Sequence, residues 1–357
     1  MTKPQFEDIG DDFPCDPRQE ARDRAAEERR ARRIVALEKL HKSYLRTPRD
    51  AQLEDEFERL IDGASLSLNG RRPEGRALVV IGQSGAGKTL ALRRLIDGRR
   101  ELTPQNMAVG PTMPFVSITA PSPCTLKQLA IELLRALGYP LERDVKENVA
   151  WNRVREQLRL RKVLIVHIDE MQHAVRFPDG AETQKVSDTL KNVMQQADWP
   201  VSFVLSGLPS LVEFAQRDVQ LGRRCRFLSF TPLKFPNDAK GLHHIVRTVA
   251  TKAADLEPVG LDGSEFLARL CRAAEGQFGR VVQICRTAAE DAIRAGAAQL
   301  TIADFASAYA ATTGCPADTN IFLARDWEFV RPGVAPAENP SSDEPAEPKT
   351  SKKRKSA

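Results

Sequence analysis

Five short apolar runs punctuate the middle of the chain: ALVVIG (77–82), PFVSIT (114–119), KVLIVHID (162–169), VSFVLSG (201–207) and RFLSFTPL (226–233). They carry β-branched residues and are bounded by Gly, Pro and Ser, which predicts strands. Between them, helical patterns fill 88–98, 125–137, 146–160, 183–197 and 208–221. Short strands alternating with helices predict a parallel sheet covered on both faces. From Pro236 the character changes. Residues 237–256, 263–274, 280–295 and 302–312 read as amphipathic helices with no strand between them, a small all-helical domain. Upstream, residues 17–45 read as a charged helix with an apolar stripe only near its end (Ile34, Leu37, Leu40, Tyr44). Thr47 and Pro48 then start a helix that carries Leu53, Phe57, Leu60 and Ile61. The expected organisation is a charged, partly disordered extension (1–46), an α/β core (47–234), a helical domain (235–313) and a mostly disordered tail (314–357).

Composition narrows the class. At 357 residues and 41% apolar, the chain is long enough for two or three domains and a proper core. No stretch approaches the roughly 18 apolar residues of a membrane span. The first residues, MTKPQFEDIGDDFPCDP, are acidic and lack the apolar segment of a secretory signal. Six scattered cysteines (Cys15, Cys124, Cys225, Cys271, Cys285, Cys315) form no CxxC pair. That predicts reduced thiols in cytoplasm, and neither a zinc site nor a disulfide framework. A net charge of +5 permits a nucleic-acid partner without demanding one.

The first strand runs into Gly82-Gln83-Ser84-Gly85-Ala86-Gly87-Lys88-Thr89, and a helix leaves it. This fits G-x-x-x-x-G-K-[ST]. Its glycines let backbone N–H groups turn inward around phosphates, Lys88 reaches the β- and γ-phosphates, and the Thr89 hydroxyl holds Mg²⁺. The third strand ends in Asp169 and Glu170. There the first carboxylate is suited to Mg²⁺ through water, and the second to polarising an attacking water. His167, inside that strand, reads as a packed core residue. Ser206 ends the fourth strand, at the edge where parallel sheets hold ligands; it fits either a γ-phosphate contact or a turn before Gly207. Arg223, Arg224 and Arg226 precede or open the fifth strand and suit the charge of a transferring phosphate. Arg280 stands in the first turn of a helix, where a cation opposes the helix dipole, so it is expected to serve something else.

Together these elements resemble an AAA+ ATPase over about residues 47–313: Walker A, Walker B, sensor 1, an arginine finger and sensor 2 on a helical lid. Within that group the chain looks like the TniB/TnsC-type ATPases of bacterial transposons. The likeness lies in RTPRDAQLEDEFERLI, PFVSITAPSPCTLKQLAIELLRALGYP, IDEMQH, SGLPSLVEFAQ and LGRRCRFLSFTPL. The resemblance implies a five-stranded P-loop fold and ATP–Mg²⁺ on Lys88, Thr89 and Asp169. It implies Glu170 as catalytic base, Ser206 as sensor 1 and Arg280 as sensor 2. An L-x-x-R spacing selects Arg224 as the finger, with Arg223 and Arg226 beside it. It further implies a homo-oligomer, a ring or helical filament, that assembles on double-stranded DNA in the ATP state. That oligomer recruits or activates a DDE transposase and is dismantled by hydrolysis.

Candidate DNA contacts are Arg93, Arg94, Arg99 and Arg100; Arg153, Arg155, Arg159, Arg161 and Lys162; and the helix opened by residues 121–127, whose N–H groups suit a backbone phosphate. Lys352, Lys353, Arg354 and Lys355 suit a salt-sensitive DNA tether or a solubilising tail. Two alternatives stand beside the transposition role. One is a helicase loader or origin-recognition ATPase, which usually appends a winged helix; only about twenty ordered residues are expected after 312. The other is a STAND-like nucleotide switch, against which the Asp169–Glu170 pair speaks.

Overall fold

A computed structural model describes residues 17–68, 70–107, 110–175 and 180–333. The strand patterns become β1 (Ala77–Ile81), β2 (Phe115–Thr119), β3 (Ile165–Asp169), β4 (Ser202–Gly207) and β5 (Cys225–Ser229). They form one parallel sheet in the order β2-β3-β4-β1-β5. Every residue of β1, β3 and β4 is buried, which explains why their sequences run apolar without alternation. Alternate residues still serve opposite faces. Ala77, Val79 and Ile81 join a cluster with Phe203, Leu205, Leu129, Leu133, Val154 and Leu190, while Leu78 and Val80 join Phe57, Leu60, Leu92 and Val204.

The first face is covered by α4 (Leu126–Ala136), α5 (Glu147–Leu160) and α6 (Ala181–Met194); the second by α2 (Pro48–Ser65) and α3 (Lys88–Asp97). Thr47 caps α2 as expected: Asp50 accepts from its backbone N–H at 2.7 Å and from its hydroxyl at 2.6 Å. The chain before β5 breaks into two short helices, α7 (Leu211–Arg217) and α8 (Val219–Gly222), where one is expected. Asp218 interrupts it, its carboxylate accepting from the N–H groups of Gln220 and Leu221.

The helical region packs α9 (Ala239–Arg247), α10 (Ser264–Ala273), α11 (Phe278–Ala295) and α12 (Ile302–Thr313) around Leu242, Leu270, Val281, Ala288 and Phe305. It is not free of strand: Glu257–Pro258 pairs in parallel with Gln299–Leu300. A second two-residue pair joins Asn106–Met107 to Gly110–Pro111. Residues 314–333 fold back on the helical cluster, burying Ile321 and Phe322. Helix α1 (Pro17–Lys42) touches the same cluster through Leu40, whereas Ile34 in the expected stripe stays 46% exposed. Residues 1–16, expected to be disordered, and the basic cluster 352–355 lie outside the described residues. Among the described residues, no helix is long and apolar enough to cross a membrane, no His/Cys/Asp/Glu cluster suits a metal ion, and the cysteines are unpaired.

Phe203, 1% exposed near the start of β4, is the largest side chain that strand gives to the core. Phe203→Ala is expected to lower the unfolding free energy by about 3–5 kcal/mol, read from a urea denaturation midpoint; a change under about 1 kcal/mol would mean that the face is not close-packed.

Candidate nucleotide site

In a parallel sheet all the C-terminal strand ends lie on one edge. That edge carries Gly82 after β1, Asp169 and Glu170 at the end of β3, and Ser206 near the end of β4. The turn between β1 and α3 is a cradle. Gly85 (φ +79°) and Gly87 (φ +94°) take the left-handed conformation that only glycine enters freely, which rolls the backbone around a central point. The Lys88 ammonium curls into it, donating to the carbonyls of Gly82 (2.8 Å) and Gln83 (3.2 Å). Burial holds Lys88 below its ordinary pKa, with Glu170 and Asp169 opposing. Cradle and cation fit a polyphosphate: the loop's N–H groups and Lys88 would compensate its charge.

The Thr89 hydroxyl donates to Asp169 Oδ2 at 2.8 Å. Asp169 Oδ1 accepts from the Ser206 hydroxyl (2.6 Å) and from the Glu170 N–H (2.9 Å). Burial pushes the Asp169 carboxyl up, but these three donors outweigh it and hold the group below its usual range. The hard oxygens of Thr89 and Asp169, side by side, are the donor set that Mg²⁺ takes. Glu170 sits at a left-handed position (φ +53°) and is held by the Gln172 side-chain amide. Gln172 is itself buried, and its carbonyl accepts from the Leu208 N–H at 3.1 Å. Sequence reasoning passed over Gln172, because a Gln next to an acidic pair carries no spacing signal.

Two other features were missed. His167 is 5% exposed, as a core residue should be, yet both ring nitrogens are engaged: Nε2 with Ser206 Oγ (2.8 Å) and Nδ1 with Ser117 Oγ (2.9 Å). Burial lowers its pKa against the pull of Asp169. The second is a cavity of about 470 Å³ beside the cradle, lined by Tyr44, Leu45, Gly87, Leu90, Phe278 and Val282 among others. Its walls come from three distant segments, so only folding creates it. Tyr44, Leu45, Leu90, Phe278 and Val282 give it an apolar and aromatic part beside Gly87, and His41, Gln283, Arg286, Thr287 and Glu290 give it polar groups, a mixture that suits a nucleoside base.

The helical region reaches the cradle through the first turn of α11. The Arg280 N–H donates to the Gly85 carbonyl at 3.1 Å, and the Arg280 stem lies over Gly85, so the residue stands on the phosphate loop. Its guanidinium pairs with Glu275. The three arginines before or within β5 lie at the opposite edge of the sheet. Arg224 is clamped by Glu74 (2.7 and 3.1 Å) and the Gln220 carbonyl (2.7 Å), and Arg226 pairs with Glu56. Arg223 is exposed and has no ion pair among the described residues. A five-residue strand spans about 17 Å, so none of the three meets the cradle of its own chain.

The expected DNA contacts are partly spoken for. Arg99 is held by Glu54, Glu58 and Glu101. Arg159 pairs with Asp198, and Lys162 lies over the Trp199 ring. At the start of α4, Thr125 takes the Gln128 N–H (3.2 Å) and Glu182 takes the Leu126 N–H (3.3 Å). A carboxylate thus already occupies the place expected for a backbone phosphate, and its charge would repel one.

Residues 71–214 match the family described as "AAA domain". No curated protein matches the chain. Among solved structures, the chain is similar to Cdc6p from Pyrobaculum aerophilum, with 17% identity, 76% of this chain and 70% of that chain covered, and a TM-score of 0.55. It is also similar to the ORC2 protein of Aeropyrum pernix, solved with ADPNP and ADP, with 17% identity, the same coverage and a TM-score of 0.51. Over residues 71–214 the chain is thus similar to AAA domains, and its fold is the AAA+ P-loop fold followed by a helical region.

Gly279 reports on the contact between cradle and helices. A Cβ there would lie 2.5 Å from the Gly85 carbonyl oxygen and 3.1 Å from the Gly87 nitrogen. Gly279→Ala is expected to force the first turn of α11 off the loop at a cost of about 1–3 kcal/mol, and to weaken binding of a fluorescent ADP analogue accordingly. Wild-type affinity would mean that the helical region is not part of the site.

Proposed function

We propose that the protein is an ATPase of DNA transposition. In its ATP state it oligomerises on double-stranded DNA and recruits or activates a DDE transposase, and hydrolysis dismantles the oligomer. The observation that carries this reading is the division of the catalytic set between opposite edges of one sheet. Lys88, Thr89, Asp169 and Glu170 converge at one edge, and the exposed Arg223 stands about a strand length away at the other. An arginine so placed acts on phosphate only in a second copy, so turnover requires assembly. The transposition role itself rests on the resemblance of the quoted segments to TniB/TnsC-type ATPases.

In such an assembly Lys88 leaves the carbonyls of Gly82 and Gln83 for the β- and γ-phosphates. Mg²⁺, held by Thr89 and Asp169, would neutralise the charge that builds on the phosphate oxygens. Glu170, released from Gln172, orients and polarises the attacking water. Arg280 is already poised over the loop and meets the phosphates once it parts from Glu275. The finger role moves from Arg224 to Arg223, since Arg224 and Arg226 are tied to carboxylates of their own chain.

Glu170→Gln is expected to bind ATP normally and lose about 10²–10⁴-fold in turnover. Its complexes with unrelated duplexes should form only with ATP, persist, and weaken steeply with salt. Anisotropy titrations at several salt concentrations check this. Equal affinity without nucleotide would sink the switch, and failure of the wild type to stimulate strand transfer by a DDE transposase encoded beside it would sink the transposition role.

Mixing mutants tests the finger. Arg223→Ala alone should lose about 10³-fold or more in turnover while an isolated subunit still binds ATP. Mixed with Glu170→Gln, which keeps the finger but lacks the base, part of the activity should return. Recovery with Arg224→Ala in place of Arg223→Ala would hand the role back to Arg224; no recovery with either, in mixtures shown to co-assemble, would reject a finger acting in trans.

A further inference from the structure

We infer that His167 is a positioning residue for the nucleotide site: it fixes the hydroxyl of Ser206 and, through it, the carboxylate of Asp169. The inference rests on the assignment of Asp169 to the Mg²⁺–nucleotide site. Its geometry comes from the sheet register. Ser117 of β2 stands directly opposite His167 of β3, and Ser206 of β4 lies two residues beyond Val204, which pairs with His167. All three side chains face α3, and Ser117, His167 and Asp169 line a cavity of about 280 Å³ with Thr89 and Thr119.

The direction of each bond follows from what each group can do. Ionised Asp169 only accepts, so Ser206 spends its single proton on Oδ1 at 2.6 Å. Toward His167 Ser206 must then accept, so Nε2 carries the ring proton at 2.8 Å. Nδ1 is left bare and accepts from the Ser117 hydroxyl at 2.9 Å. Ser206 is wholly buried, so without His167 its hydroxyl has no second partner to hold its rotamer. The same chain changes the part expected of Ser206. With its proton committed to Asp169, Ser206 orients the carboxylate rather than contacting a γ-phosphate.

Variants at His167, Ser206 and Asp169 test this. In nucleotide-free protein, ¹⁵N spectra should show His167 as the neutral Nε2–H tautomer, its signals identified by their loss in His167→Gln. Mn²⁺ binding to the ADP complex, followed by electron paramagnetic resonance, should weaken about 10–100-fold in His167→Leu, the range seen when a ligand's hydrogen-bond partner is removed. ADP affinity without metal should hold. His167→Gln, which keeps an amide donor toward Ser206, should regain most of the Mn²⁺ affinity. Ser206→Ala should reproduce the His167→Leu loss, and the double variant should be no worse than either. Should His167→Leu fail to fold, Ser206→Ala and His167→Gln carry the same test. An Nδ1–H tautomer, unchanged Mn²⁺ affinity in His167→Leu or Ser206→Ala, or strictly additive losses would overturn the inference. Unchanged Mn²⁺ affinity in Asp169→Asn would instead overturn the assignment of the site, and with it the metal role given to His167.

Discussion

Everything functional here depends on the parallel sense of one five-stranded sheet. Parallel pairing carries β1, β3 and β4 to the same edge with their C-terminal ends level, so Gly82, Asp169 and Ser206 meet although more than a hundred residues separate the first from the last. The same constraint puts the residues before β5 at the far edge. One subunit therefore holds the phosphate cradle at one edge of the sheet and Arg223, Arg224 and Arg226 at the other. Crossover helices are the price of that topology: each strand needs a helix to return, and those helices bury both faces.

Polar groups inside such a sheet must find partners, and five at and beside its α3-facing side do so in one connected set. Thr89, Asp169, Ser206, His167 and Ser117 are joined by four hydrogen bonds of 2.6–2.9 Å running from the phosphate loop to the outer strand. A buried network of this kind is costly when one member is missing and rigid when complete. Here its rigidity falls on the carboxylate that must be aimed most accurately. Glu170, by contrast, projects from a left-handed position and is held by one amide, the arrangement of a group that has to move.

The contact between α11 and the cradle couples the two regions. It consists of backbone against backbone at Gly279 and Gly85, with the Arg280 stem above, so there is no soft side chain to absorb a shift. The helical region in turn shares its core with Leu40 of α1. The cavity between Tyr44, Leu90 and Phe278 borders that contact, so its walls come from both regions.

By itself the sequence determined the elements and the phosphate chemistry. Strand and helix periods place the five strands to within a few residues: burial on both faces forces unbroken apolar runs in β1, β3 and β4, and the edge strands β2 and β5 are short apolar segments bounded by turn residues. Gly82–Thr89 and Asp169–Glu170 are legible because their chemistry needs fixed residues at fixed spacing along one segment. The exceptions are local: Asp218 breaks a helix by capping the next one, and two residues at Glu257 pair with Gln299, too short a ladder to leave a period. Tertiary structure alone decided which groups meet across segments. His167 reads as core from its neighbours in sequence, and only strand register sets it between Ser117 and Ser206. Gln172 gains its role from Leu208, and the Tyr44–Phe278 cavity from three separate segments. Three arginines identical in sequence character separate into two tied ones and one without an ion pair among the described residues, according to where Glu56 and Glu74 fall. Periodicity and spacing record what a residue's own strand or helix demands; hydrogen bonds and charges between elements depend on register and packing, which no single segment encodes.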